Sequence, residues 1–285
     1  NSYGSTAILM NVNTGEILSM VSLPDFDLNK REDISNKKFI NRSTKGVYEL
    51  GSVFKTFTLA AGLQHNVIRE DTFFKNLPKK IKCAGRTISE YDMDIPSSLT
   101  AEEILIRSGN IGSIKIAQKV GLENFKNFLE DLDLLNKIQF DIEEVGNPIP
   151  FKWGKCKLAT SAYGHGITTT PLQLAKAYAI IANGGYKIKP TLIKKQKNLK
   201  KGKQIITKEN SNKINDILRK IVTTKQGTAN LVNIAGYEIA GKTGTAQKSI
   251  KGKYSKKKNK YFCFNFSSIF PKICISCFAR RAKIK

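Results

Sequence analysis

The stretch Gly51-Ser52-Val53-Phe54-Lys55 puts a hydroxyl and an amine three residues apart at the start of a helix, and the run behind it decides how that helix sits. In Thr56-Phe57-Thr58-Leu59-Ala60-Ala61-Gly62-Leu63-Gln64, the residues Phe57, Ala60, Ala61 and Leu63 fall near helical spacing, which predicts burial in a core. A buried helix carries its first turn as a fixed platform, and residues i and i+3 share a face, so Ser52 and Lys55 can touch. Serine is a poor nucleophile without a base beside it, and a lysine taken out of water has a lowered pKa and can be that base. The pair is chemically sufficient to suggest acyl transfer. Taken alone, however, Ser-x-x-Lys is more often a helix cap with a surface lysine one turn later, so the rest of the chain has to decide.

At 285 residues the chain can bury a sizeable core, and 40% hydrophobic with 25% charged residues is a globular composition. No apolar run of about eighteen residues is present, and Asn1 opens neither an initiator Met nor a signal pattern, so the chain reads as cut from something longer. A formal charge of +25 by itself fits a nucleic-acid or anionic-surface partner. The lysines are nevertheless spread through segments such as Lys194-Lys195-Gln196-Lys197 and Lys200-Lys201-Gly202-Lys203, without interleaved aromatics, zinc-finger spacing or an RNA-binding signature. They read as solvated surface, and no nucleic acid is expected. Five cysteines are too few for a disulfide framework in a chain of this length, and Cys274-Ile275-Ser276-Cys277 is half a zinc site with neither His65 nor His165 near it in sequence.

Along the chain, Ser5 to Val12 and Glu16 to Ser22 alternate as a hairpin around Asn13-Thr14-Gly15, and a polar connection leads to Tyr48-Glu49-Leu50. Residues 70–100 read as loops with short strands. Thr100 with Glu102 and Glu103 predicts a capped helix through Arg107, broken at Ser108-Gly109-Asn110. Ile111, Ile114, Ile116, Ala117 and Val120 then trace a helical face, and Leu122 to Leu135 another. Residues 153–166 read as a Gly-rich connection with His165 as a polar turn residue, and Thr170-Pro171 caps a helix running to Asn183. Ser211 to Val222 forms a further helix. Tyr237 to Gln247 alternates as a strand in which Gly241 and Gly244 mark close approach by a ligand or another backbone.

Three elements now stand in order: Ser52-x-x-Lys55, Ser108-x-Asn110 and Lys242-Thr243-Gly244. This is the triplet of penicillin-binding proteins and class A β-lactamases. The chemistry fits the residue types. The Ser52 N–H and one from the Lys242 strand can hold an oxyanion, which makes Gly244 a steric requirement. Ser108 can relay a proton toward a leaving amine, Asn110 can bind a substrate amide, and Lys242, Thr243 and Thr245 can bind a carboxylate. No metal or cofactor is called for.

With Val12-Asn13-Thr14-Gly15-Glu16-Ile17-Leu18, Tyr48-Glu49-Leu50-Gly51-Ser52, Thr170-Pro171-Leu172-Gln173-Leu174-Ala175, Ala182-Asn183-Gly184-Gly185 and Ala240 to Gln247 added, the chain resembles the transpeptidase domain of a class B penicillin-binding protein. Ser-Gly-Asn at 108–110 and Tyr-Gly-His-Gly at 163–166 are more similar to the septal, cell-division type than to the elongation type. The resemblance implies an α+β fold, an antiparallel sheet flanked by helices with an all-helical lobe within about residues 66–190, and Ser52 at the cleft between them. It implies that a stem peptide ending in D-Ala-D-Ala acylates Ser52, that an amine from a neighbouring stem peptide resolves the acyl-enzyme, and that β-lactams acylate the same serine. It assigns Lys55 as base, Ser108 and Lys242 as aids to proton transfer, and the Thr245 backbone N–H as part of the oxyanion hole. An N-terminal anchor in the bacterial inner membrane, a domain facing the periplasm and membrane division proteins as partners are implied as well.

The resemblance covers residues 1–250 and weakens over 251–285. Lys256-Lys257-Lys258-Asn259-Lys260 leads into Tyr261-Phe262-Cys263-Phe264-Asn265-Phe266 and ends in Ala279-Arg280-Arg281-Ala282-Lys283-Ile284-Lys285, and only Ser268-Ile269-Phe270-Pro271 is similar to a family strand end. A frameshift in an adenine-rich lysine tract would account for this, and reading the gene in its other frames tests it. The family's last two strands are then in doubt, Lys242 to Gln247 becomes a weakly supported sheet edge, and a penicillin-binding sensor or inactive fold stays open. A β-lactamase fits less well, because no glutamate motif for water activation follows Asn110.

Overall fold

Alternation of apolar and polar residues on either side of the Asn13-Thr14-Gly15 turn carries the chain out and back as strands β1 (Ser2–Asn11) and β2 (Ile17–Leu23). The computed structural model describes residues 2–27, 29–30, 36–195, 201–250, 253–266 and 273–281. After the hairpin come β3 (Tyr48–Glu49), a 3-10 turn over Gly51–Phe54, and helix α1 (Lys55–Gln64). The short strands β4 (Phe73–Phe74), β5 (Lys80–Cys83), β6 (Arg86–Ser89) and β7 (Leu99–Thr100) follow. Then come α2 (Ala101–Ile106), α3 (Asn110–Val120), α4 (Leu122–Asp131), α5 (Lys155–Ser161), β8 (Thr168–Thr169), α6 (Pro171–Ala182) and α7 (Lys208–Thr223). Strands β9 (Ile239–Ile250), β10 (Lys253–Phe266) and β11 (Ile273–Arg281) end the described chain.

The main sheet has five strands in the order β2-β1-β11-β10-β9, each pair antiparallel. Helices α6 and α7 pack on one face of it, and α1 lies between α7 and the helical group α2, α3 and α4. The core runs through this layer: Ile8, Met10 and Val12 from the hairpin, Phe57 and Leu59 from α1, Leu174 and Ile180 from α6, and Ile214 and Leu218 from α7 are all buried. This is the expected α+β arrangement.

Local chemistry explains where the helices start. The Thr100 hydroxyl accepts from the Glu103 N–H while Glu103 accepts from the Thr100 N–H, and Thr170 with Gln173 repeats that reciprocal cap, with Pro171 at the first helical position. The connection read from 153 to 166 contains a helix, α5, which a periodicity reading misses because the segment is short and bounded by glycines. Among the described residues, a disulfide joins Cys83 of β5 to Cys156 of α5 across 73 positions, and Cys263 is buried. The side chains of Cys274 and Cys277 lie outside the described residues, as do residues 196–200, 267–272, including Ser268 to Pro271, and 282–285.

At the C-terminal end, β10 pairs with β9 and β11 pairs with both β10 and β1, so the described strands close the sheet. A period of two accounts for this where composition does not. Tyr261, Cys263 and Asn265 are buried while Phe262 and Phe264 are half-buried, which is the pattern of a strand with one face on a core. The Tyr261 hydroxyl donates to the Glu49 carbonyl at 2.8 Å, and the Asn265 amide donates to Asn215 Oδ1 on α7 at 3.1 Å.

Candidate active site

Helix α1 is buried along its whole length from Lys55 to Leu63, as its apolar run predicts. The turn in front of it is pinned from α6: the Tyr178 hydroxyl donates to the Val53 carbonyl at 2.9 Å and meets the Thr56 hydroxyl at 2.8 Å. Phe57 packs edge-on against both Phe54 and Tyr178, with ring centroids 5.4 and 5.3 Å away. Ser52 therefore sits on a fixed turn, half-buried, and its carbonyl accepts the Lys55 N–H.

Strand β9 lies against that turn. Gly51 has φ +63°, and a Cβ there would stand 2.4 Å from the Thr245 carbonyl oxygen; a Cβ on Gly244 would stand 2.8 Å from Val53 Cγ1, 2.9 Å from the Leu50 carbonyl oxygen and 3.0 Å from the Val53 nitrogen. The two glycines interlock, and only their missing side chains let strand and turn approach this closely. Thr245 is exposed beside the turn and Thr243 is half-buried.

Ser108 stands between two lysines. Its carbonyl and hydroxyl accept from Lys55 Nζ at 2.5 and 3.2 Å, and its hydroxyl accepts from Lys242 Nζ at 2.9 Å. Lys242 Nζ also donates to the Thr243 carbonyl at 3.0 Å and to Thr228 Oγ1 at 3.4 Å. The Ser108 backbone has φ +60°, which costs about 1–2 kcal/mol for a residue with a side chain. Among the described residues, the Lys55 amine bonds Ser108 and not the Ser52 hydroxyl. The expected Ser52–Lys55 contact is thus not a side-chain hydrogen bond, and the two residues are joined instead through the Lys55 N–H and the Ser52 carbonyl.

Both lysines are out of water, with 1% exposure at Lys55 and 0% at Lys242. Burial pushes the Lys55 amine down to about 7, against an upward pull from Glu90. Burial and then the nearby Lys55 hold Lys242 well below the usual lysine range. Two buried amines on one hydroxyl disfavour two charges, so near neutral pH a free amine is present that can take a proton from a hydroxyl. His165 sits in the turn after α5 with its ring 4.7 Å from Tyr163, and burial pushes it down to about 4, so it is neutral. That is compatible with a turn residue.

Asn110 begins α3 half-buried, and its side-chain amide donates to the Ser89 carbonyl at 2.8 Å, tying the Ser108-Gly109-Asn110 segment to β6. Sequence reasoning missed Thr228, whose Oγ1 accepts from the Thr243 hydroxyl at 2.9 Å, and Glu90, whose carboxylate accepts from the Asn110 and Ile111 N–H groups at 2.6 and 2.8 Å. Thr228 follows Gly227 in an unpatterned loop and carried no signal. Among the described residues, no group of three or more His, Cys, Asp or Glu could hold a metal, and no helix is long and apolar enough to cross a membrane.

Residues 5–273 match the penicillin binding protein transpeptidase domain family. The chain is 32% identical over 249 residues to the probable peptidoglycan D,D-transpeptidase FtsI of Caulobacter vibrioides (strain NA1000 / CB15N), a match covering 86% of this chain and 42% of that protein. It is 31% identical over 270 residues to stage V sporulation protein D of Bacillus subtilis (strain 168), covering 88% of this chain and 41% of that one. The chain thus spans less than half the length of these relatives. The fold superposes with a TM-score of 0.87 on the apo transpeptidase domain of penicillin-binding protein 3 from Burkholderia pseudomallei, at 25% identity, covering 98% of this chain and 80% of that one.

Proposed function

Since this chain belongs to the penicillin binding protein transpeptidase domain family, we propose that it catalyses D,D-transpeptidation of peptidoglycan stem peptides through an acyl-enzyme on Ser52. The observation that carries this reading is the Ser108 hydroxyl held by both the Lys55 and Lys242 amines, with Ser52 on the turn that leads into Lys55.

In the proposed cycle, neutral Lys55 takes the Ser52 proton as Oγ attacks the penultimate D-Ala carbonyl. The N–H groups of Ser52 and Thr245 hold the oxyanion, Lys242 with Thr243 and Thr245 holds the terminal carboxylate, and Asn110 holds a substrate amide. The proton passes through Ser108, whose hydroxyl touches both amines, to the nitrogen of the leaving D-Ala. An acceptor amine then attacks the ester and restores Ser52. A β-lactam enters the same first step. We assign the chain to septal wall synthesis, on the outer side of the bacterial inner membrane, with an anchor and division-protein contacts supplied by parts of a longer protein. A second reading, a penicillin-binding fold that is acylated without turnover, rests on the divergent sequence of 251–285, and the pairing of β10 with both β9 and β11 weighs against it.

Labelling with a fluorescent penicillin, comparing wild type with Ser52→Ala, tests the proposal. Serine-dependent label that is lost slowly, with D-Ala released from an acyl-D-Ala-D-Ala peptide, supports the transpeptidase. Rapid loss of label indicates a β-lactamase, label without D-Ala release indicates the sensor, and no label removes the acyl-enzyme altogether.

A further inference from the structure

Glu90 lies outside all three motifs, yet it holds the middle one. Helix α3 begins at Asn110 after Gly109, which has no side chain to cap it. The cap comes from 20 positions upstream: the Glu90 carboxylate, only 8% exposed, accepts the Asn110 and Ile111 N–H groups at 2.6 and 2.8 Å. A carboxylate there satisfies two otherwise open donors and meets the positive end of the helix dipole. Glu90 is itself anchored, since its N–H donates to the Lys79 carbonyl at 2.9 Å and the preceding Ser89 carbonyl takes the Asn110 side chain. The hairpin that leads to it is joined to α5 by the Cys83–Cys156 disulfide.

We propose that Glu90 is a positioning residue of the acyl-transfer site, fixing the left-handed Ser108 turn from below so that its carbonyl and hydroxyl stay within reach of Lys55. The proposal rests on the reading of Ser52 as the acylated serine. A helix cap alone would not need to stand beside the base. Glu90, from the loop after β6, is the charge that acts on Lys55, and Lys55 in turn lowers the pKa of Lys242 on β9 and of His165 in the turn after α5. Of these groups Glu90 is the acid. It opposes the loss of basicity that burial imposes on Lys55, so removing its charge makes Lys55 lose its proton at lower pH.

The experiment measures the second-order rate of acylation by a fluorescent penicillin from about pH 5 to pH 9, for wild type, Glu90→Gln and Glu90→Asp, each first checked for folding by circular dichroism. Glu90→Gln should lower the rate about ten- to a hundredfold and move the acid limb of the profile down by about one pH unit. Glu90→Asp, with its charge withdrawn by about one carbon–carbon bond, should be intermediate in both. A limb that stays in place, whether or not the rate falls, overturns the proposal. Should Glu90→Gln not fold, the Glu90→Asp limb decides in the same way. The second readout needs no substrate: the Lys55 resonance of apo protein labelled at lysine Cε, identified with Lys55→Met, is titrated by NMR. If wild type takes no label on Ser52, the functional reading falls, and this titration alone decides Glu90. An unshifted Lys55 midpoint in a folded Glu90 variant overturns its role, and a lowered midpoint upholds it.

Discussion

Of the two walls that carry the motif lysines, one is a helix and the other is a sheet edge. Ser52 and Lys55 ride on the turn and first residue of α1, buried from Lys55 to Leu63 and pinned by Tyr178, whereas Lys242 rides on β9, which among the described strands pairs with β10 alone. The helix wall is held by apolar packing that is continuous with the motif itself. Support for the strand wall comes from residues far from its motif: Tyr261 bonding the Glu49 carbonyl, Asn265 bonding Asn215, and Arg219 Nη1 donating to the Ile239 carbonyl at 2.8 Å. The difference teaches that a motif lysine can be equally buried on either wall while depending on very different amounts of the chain.

Changes on the two walls should therefore fail differently. Lys55→Met keeps the buried volume and removes the base, so penicillin acylation should fall by about a hundredfold to ten-thousandfold while the urea midpoint stays within experimental error of wild type. Gly244→Val should damage both properties, because its side chain must enter the space of the Leu50 carbonyl and the Val53 nitrogen. A loss of about 1–3 kcal/mol in urea melts and of about a hundredfold in acylation is expected.

The pH dependence belongs to the helix wall. In the proposed cycle Lys55 acts only when neutral, and burial pushes its amine down to about 7. Below that, the acylation rate should drop about tenfold per pH unit, and stopped-flow labelling at a series of pH values checks it. On the strand wall, Asn265→Ala leaves the buried Asn215 Oδ1 without its donor, which should cost about 1–3 kcal/mol and speed hydrogen exchange at β9 amides before it slows acylation. Tyr261→Phe removes a single hydrogen bond and should cost about 1 kcal/mol in the same melts. If either strand change slowed acylation as much as Lys55→Met with stability intact, the contrast between the walls would be wrong.

Legibility followed the same division. Wherever a local rule acts over one or two turns, the sequence was enough: the apolar run of α1 and the reciprocal caps at Thr100 and Thr170 carry their structural reason within a few residues. Glu90 and Thr228 were not legible, because each acts on a partner 14 or more positions away through the tertiary fold. The pairing of Cys83 with Cys156 has the same cause. The lysine tract made 251–285 look unlike a sheet, since composition says nothing about period. The alternation of Tyr261, Cys263 and Asn265 does, and it was obscured by the half-buried phenylalanines between them.

The measurement that bears most directly on the central claim is the intact mass of the protein after reaction with benzylpenicillin, followed by peptide mapping. The account predicts a gain of one penicillin mass, located on the peptide containing Ser52 and absent from Ser52→Ala. No adduct on folded protein, or an adduct that survives Ser52→Ala, would contradict it.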